Sequence, residues 1–125
     1  MIYLDTHAII WLFDNMTERF GKAALKAIET EEVYCSPVCE LELEYLSETK
    51  RIKEDARTIT SDLEVRIGLK ICDRPFEQVI ARALKESWTR DPFDRIITAQ
   101  AHLRDARLVT KDRTIHKNYS KALWD

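Results

Sequence analysis

The 125-residue chain has only two glycines and three prolines, so it lacks the composition of a flexible linker or a low-complexity segment. It has three cysteines, Cys35, Cys39 and Cys72, an odd number that does not make a disulfide framework. The opening Met-Ile-Tyr-Leu-Asp-Thr-His-Ala has no charged region followed by an apolar one, so secretion is not indicated. No apolar run approaches the roughly 20 residues that cross a bilayer. No charge sign dominates, since 20 Lys and Arg face 22 Asp and Glu. That balance excludes a basic nucleic-acid coat and an acidic disordered tail. What remains is the expectation of one soluble domain over residues 1–125, large enough for a sizeable core, in a reducing cytoplasm without membrane association.

Short β-favouring runs are present at Ile2–Leu4, Val33–Cys35, Leu69–Cys72, Leu108–Thr110 and Ala122–Trp124, separated by longer stretches compatible with helices. The alternation predicts an α/β domain with a central, mostly parallel sheet of about four or five strands flanked by helices. Phe20, Ala24 and Ile28 recur at helical spacing, and Val79, Ala83 and Trp88 lie in another helix-compatible stretch. In open α/β sheets the ligand site lies beyond the carboxyl ends of the strands. Asp5 ends the first run and Asp112 follows the fourth, so two distant carboxylates are expected at one sheet edge.

Val38–Glu48 reads as a helix opened by Ser36 as N-cap and Pro37 in the first turn. At about 100° per residue, Val38, Leu41, Tyr45 and Leu46 form its apolar stripe. Glu42 falls inside that stripe, whereas Glu40, Glu44 and Glu48 read as solvated surface. A carboxylate in an apolar stripe needs a partner or a cation, or else snorkels at the core margin. Asp91-Pro92-Phe93-Asp94 opens another helix with apolar residues Phe93, Ile96, Ile97, Ala101 and Leu103. Asp91 suits an N-cap and Asp94 a capping-box acid, yet Asp94 also flanks the buried side through Ile97 and Ala101. Asp5 and Asp112 likewise read either as caps or as members of a cluster. Taken together, these acids can converge on one pocket.

The order of these motifs resembles the PIN-domain nucleases, and more narrowly the VapC-like toxins of type II toxin-antitoxin systems. The resemblance rests on Leu4-Asp5-Thr6-His7, on Ser36-Pro37-Val38-Cys39-Glu40-Leu41-Glu42-Leu43, on the stretch from Arg90 to Ala101, and on Leu108-Val109-Thr110-Lys111-Asp112. It implies a PIN-like three-layer fold and an endoribonuclease in which Asp5, Glu42, Asp94 and Asp112 hold one or two Mg²⁺ or Mn²⁺ ions. It further implies Thr6 and Thr110 as supporting hydroxyls, Asp91 as an extra acid, a homodimer, and a cognate antitoxin whose tail inserts near the acids. Two departures stand out: Cys39 replaces a common Ser, and Lys50 replaces a common Gly.

Phosphodiester hydrolysis needs a nucleophile from water and relief of charge on the leaving oxygen, which hard cations on carboxylate oxygens supply. Four carboxylates gathered without an ion repel one another and raise some of their pKa values. Setting those four aside leaves the rest of the chain at +2, compatible with an RNA substrate. Arg90, Arg95, Lys111, Arg113 and Lys117 are placed in sequence to contact phosphates. Cys35 and Cys39 lack the second ligand pair of a zinc site. His7, next to Asp5, reads mainly as packing, His102 and His116 carry no catalytic signal, and Trp11, Tyr45, Trp88 and Trp124 read as core or interface aromatics. Two other classes compete with the enzyme. A phosphoryl-accepting receiver domain needs a paired acid after the first strand and a mid-chain strand, where Leu41–Val65 reads as helical. The alternative with more support is a catalytically silent PIN-like module that binds RNA or protein.

Overall fold

The computed structural model describes residues Met1–Asp125. Five strands, β1 (Ile2–Leu4), β2 (Val33–Cys35), β3 (Lys70–Ile71), β4 (Arg107–Val109) and β5 (Ala122–Leu123), form one sheet in the order β3-β2-β1-β4-β5. Every pairing is parallel. Seven helices surround it: α1 (Thr6–Phe13), α2 (Lys22–Thr30), α3 (Pro37–Glu48), α4 (Ala56–Ile67), α5 (Phe76–Ala83), α6 (Pro92–Leu103) and α7 (Arg113–Asn118). The expected five runs are thus the five strands, β1 and β2 with the expected bounds and β3, β4 and β5 with ends displaced by one residue. This all-parallel sheet flanked by helices is the expected PIN-like α/β architecture.

β1 is buried along its whole length, as a central parallel strand covered on both faces must be. Its neighbours lie in direct register, Leu4 facing Cys35 on one side and Val109 on the other. The residues that follow, Asp5, Ser36 and Thr110, therefore leave the sheet side by side. The chain steps outward from β1 to β3, then returns to β1's other flank with β4. That reversal between β1 and β4 is the switch point at which parallel sheets open a crevice.

One cluster of 27 buried residues runs through the sheet and its covering helices, and a smaller one joins Val79, Ala83 and Ala99 between α5 and α6. Phe20, Ala24 and Ile28 are all buried, although Phe20 precedes α2, whose N-cap is Gly21. α3 starts as its sequence predicts, with Ser36 Oγ accepting from the Val38 N–H at 3.1 Å. Its core face is different from the expected stripe. Cys39 and Leu43 are fully buried, while Leu41 and Tyr45 are 47% and 49% exposed.

The reason is proximity to β1: the small Cys39 side chain lies 3.7 Å from the Leu4 carbonyl, closer than a larger residue could sit. Tyr45 instead packs its ring edge-on to Phe93 at 5.7 Å. Glu40 and Glu44, expected as solvated surface, hold α4 in place. Glu40 accepts from Thr60 Oγ1 at 2.9 Å and pairs with Arg57, and Glu44 accepts from the Ala56 N–H at 3.1 Å.

Candidate active site

Asp5 stands where β1 becomes α1, and its carboxylate is divided between two donors. Oδ1 accepts from the Thr6 N–H at 2.8 Å, and Oδ2 accepts from Thr110 Oγ1 at 2.6 Å. Both Asp5 and Thr110 are buried, at 5% and 0% exposure. Thr110 Oγ1 also accepts from the Asp112 N–H at 3.0 Å, so one hydroxyl ties the two strand-end acids together. On the other side, Thr6 Oγ1 donates to Glu42 Oε1 in a short contact. Glu42, Thr6, Asp5, Thr110 and Asp112 thus form one hydrogen-bonded chain across α3, β1 and β4.

The strand-end acids are helix caps as well as members of this hydrogen-bonded chain. Asp5 caps α1, and Asp112 Oδ1 caps α7 by accepting from the Ile115 N–H at 2.9 Å. At α6 the roles separate. Asp91 is the cap, accepting from Phe93 N–H at 2.8 Å and Asp94 N–H at 3.2 Å. Asp94 makes no capping box, because the Asp91 N–H is bonded to Thr89 Oγ1. Its side chain is left for the acidic pocket. Burial, followed by the charges of Asp91, Asp5, Asp112 and Glu42, pushes its pKa up to about 7. Burial also raises Glu42, partly offset by the Thr6 hydroxyl, with Asp5 and Asp91 adding to the rise.

His7 does more than pack. Its ring lies 5.0 Å from that of Trp11 and 6.0 Å from that of Trp124. Nε2 accepts from the Lys111 N–H at 2.9 Å, which places the proton of the neutral ring on Nδ1, 3.6 Å from Asp5 Oδ2. Burial lowers its pKa, against the pull of Asp5 and Asp112. The adjacency of Asp5 and His7 in sequence was the available signal for this link, but nothing local pointed to the Lys111 amide.

Of the expected phosphate contacts, Arg95 is otherwise engaged. Its guanidinium donates to the Thr89 carbonyl at 2.8 Å and the Ala83 carbonyl at 3.4 Å, fastening the α5–α6 connection. Arg90 donates to the Ser87 carbonyl at 2.8 Å. Lys111, Arg113 and Lys117 are exposed beside Asp112. A residue that sequence reading missed, the buried Glu86, also holds the α5–α6 connection through Trp88 Nε1 at 2.6 Å, Arg82 and His102. A carboxylate outside any motif gives no signal of burial.

No Lys or Arg pairs with Asp5, Glu42, Asp94 or Asp112, so their charge is not offset within the chain. No three His, Cys, Asp or Glu side chains stand close enough to enclose an ion as they lie. Mg²⁺ does not require that, since it keeps several waters and takes one or two direct carboxylates. An all-oxygen donor set with an acid raised to about 7 by burial and by its neighbours fits a hard, hydrated divalent ion.

The PIN domain family model matches residues 2–121. Ribonuclease VapC22 of Mycobacterium tuberculosis is 30% identical over 119 residues, covering 94% of this chain and 91% of that protein. Among solved structures, a toxin-antitoxin complex from Klebsiella pneumoniae superposes with a TM-score of 0.67 at 16% identity, over 98% of this chain and 97% of that one. VapBC-1 from nontypeable Haemophilus influenzae gives 0.66 at 19%, over 100% of this chain and 97% of that one. At these identities the structural likeness concerns the fold. With motif order, sheet topology and the family match in agreement, the chain belongs to the PIN domain family and is VapC-like.

Proposed function

We propose that the protein is an endoribonuclease dependent on Mg²⁺ or Mn²⁺, with Asp5, Glu42, Asp94 and Asp112 as ligands of one or two ions. The observation that carries this reading is the hydrogen-bonded chain from Glu42 through Thr6, Asp5 and Thr110 to Asp112. It ties the carboxylates of Asp5 and Glu42 to the backbone of Asp112, whose own carboxylate is held by the Ile115 N–H, and Asp94 feels the charge of all three. When bound, the ion supplies an acidified water and offsets charge growing at the leaving oxygen of the phosphodiester.

The chain's own part is orientation. Thr6 and Thr110 hold Asp5 with both oxygens engaged, so its carboxylate cannot rotate away from the pocket. Asp91, by capping α6, fixes where Asp94 enters the pocket and adds negative charge beside it. His7 shields one edge of Asp5 and keeps its neutral form. Lys111 and Arg113 flank Asp112 and neutralise phosphates of the RNA strand, with Arg90 as a further exposed cation.

The relationship to VapC22 and to VapBC assemblies supports a toxin of a type II pair held inactive by a cognate antitoxin; a cytoplasmic homodimer completes the proposal. The test is cleavage of a mixed structured-RNA pool by the purified chain with Mg²⁺ or Mn²⁺ and with chelator. Cleavage that requires the ion and is reduced at least about a hundredfold in Asp94→Asn supports the reading. A folded wild type inactive with both ions favours the catalytically silent module instead.

A further inference from the structure

Beside the acids lies a second, positively charged cleft of about 470 Å³. Arg19, Lys111, Arg113 and His116 line it, with Phe20 and Trp124 as its apolar wall. Trp124 stacks on Phe20 at 5.0 Å between centroids and meets Trp11 edge-on at 5.8 Å. The wall is locked from behind. The Trp124 carbonyl accepts from the Ala24 N–H at 3.0 Å, and a Cβ on Gly21 would come within 2.2 Å of that oxygen. Only glycine allows the last residues to close against α2 this tightly.

Two of the cations are held by packing. The Arg19 guanidinium sits 5.1 Å and the Lys111 ammonium 6.0 Å from the centre of the Trp11 ring. Arg19, Lys111 and Arg113 have no carboxylate partner, whereas seven other Lys and Arg side chains do. One acid, Asp125, lines the same cleft. Cations packed against an aromatic ring have given up side-chain freedom before any ligand arrives, which reduces the entropy lost on binding an anion.

The cleft is joined to the acidic pocket by the segment from Thr110 to Arg113. Lys111 donates its amide to His7 and its ammonium faces the cleft, while Asp112 between the two cations belongs to the acids. His116 donates Nε2–H to the Thr110 carbonyl at 2.6 Å, which leaves Nδ1 as an acceptor at the cleft edge. The volume suits a nucleotide-sized group and is too small for a duplex.

We propose that this cleft is a subsite for single-stranded RNA, holding the phosphate and base next to the bond that is cut. The assignment rests on the nuclease reading above for the identity of the neighbouring pocket. The cations take the phosphate, and the Phe20 and Trp124 edges meet the base or sugar.

The test is fluorescence anisotropy of a labelled single-stranded oligoribonucleotide titrated with the full chain in chelator. Wild type is compared with the triple variant Arg19→Ala, Lys111→Ala, Arg113→Ala, and with Lys26→Ala, Lys85→Ala as a surface-charge control. The triple variant should bind roughly tenfold or more weakly, with the slope of log affinity against log salt reduced by about 2, and the control should match wild type. Thermal melting checks that the triple variant folds, and the single Arg113→Glu variant gives the same readout if it does not. Wild-type affinity and slope in a folded variant overturn the subsite. So does binding of a polyglutamate peptide that these substitutions abolish while RNA affinity stays intact, which would make the cleft a protein-docking site. Cleavage with Mn²⁺ is scored on the same RNA: cleft-dependent binding without cleavage sinks the nuclease reading and leaves the cleft as a binding site for single-stranded RNA with no cut bond beside it.

Discussion

Asp94 shows how a single side chain carries the opposing demands of folding and function. Its carboxyl is raised from 3.8 to about 7 by burial and by four neighbouring acids. The folded chain therefore keeps a proton that the unfolded chain releases. That favours folding fully below about pH 4 and is lost as pH rises through 7, above which the ionised group opposes folding. In chelator at pH 8, Asp94→Asn is expected to be more stable than wild type by about 1–2 kcal/mol, a figure reduced for the group's partial exposure. That is a few degrees in Tm, and the gap should narrow as pH falls below 7 and close near pH 4. Helix α6 should be unaffected, because Asp91 is its cap. Equal melting of the two proteins at pH 8 would mean that neither burial nor the neighbouring acids burden the ionised Asp94. The segment alone reads both Asp91 and Asp94 as caps, and only the flanking of Ile97 and Ala101 and the family resemblance set Asp94 apart. Placing them needed the direction of one side chain, which depends on packing of α6 against α3, α5 and β4 and not on local spacing.

At the level of elements, the end of α3 records a substitution in its backbone. Lys50 adopts φ +62°, in the left-handed region, one residue past the helix cap Thr49. The Lys50 N–H bonds the Ser47 carbonyl at 3.0 Å and the Arg51 N–H bonds the Leu46 carbonyl at 2.8 Å. This pair of bonds defines a Schellman end, which favours glycine at the Lys50 position. A side chain there costs about 1 kcal/mol, partly offset because glycine is freer in the unfolded chain. Lys50→Gly is expected to stabilise the chain by about 0.5–1 kcal/mol in urea melts, and a loss of stability would show that the lysine makes a compensating contact. The position was legible in sequence as a departure at a helix end. The facing of α3 was less so. Helical spacing grouped Leu41 and Tyr45 with the core, but the element sits on β1 through Cys39 and Leu43, the small and medium residues that allow close approach. Periodicity finds an apolar stripe, whereas the choice between two adjacent stripes is made by the partner element. Glu42 was selected by that stripe, and in the structure it accepts a bond from Thr6 that no α3 pattern encodes. The strands fared better, because β1's wholly apolar run and the acids just after β1 and β4 follow directly from a parallel sheet buried on both faces.

Across the whole molecule, charge is segregated more than its total of −2 suggests. Four acids without cationic partners gather at one end of the sheet, and three unpaired cations face the adjoining cleft. Such an arrangement couples ion binding to both stability and pH. An ion that binds only the folded chain stabilises it in proportion to the logarithm of its concentration above Kd. With Asp94 in the proposed ligand set, the same ion has to displace its proton wherever pH lies below about 7. At pH 8 a Mn²⁺ titration is therefore expected to raise Tm by several degrees, removing the repulsion that Asp94→Asn also removes. At pH 6 the same rise should need about tenfold more Mn²⁺, since one proton competes for the site. In Asp94→Asn the Mn²⁺ dependence should be weaker and nearly the same at both pH values, because the competing proton is gone with the carboxyl. Differential scanning fluorimetry over the two pH values and both proteins reads all four curves. An identical Mn²⁺ response at pH 6 and 8 in wild type would mean that Asp94 is not among the groups the ion engages, and would move the ion toward Asp5, Asp112 and Glu42 alone.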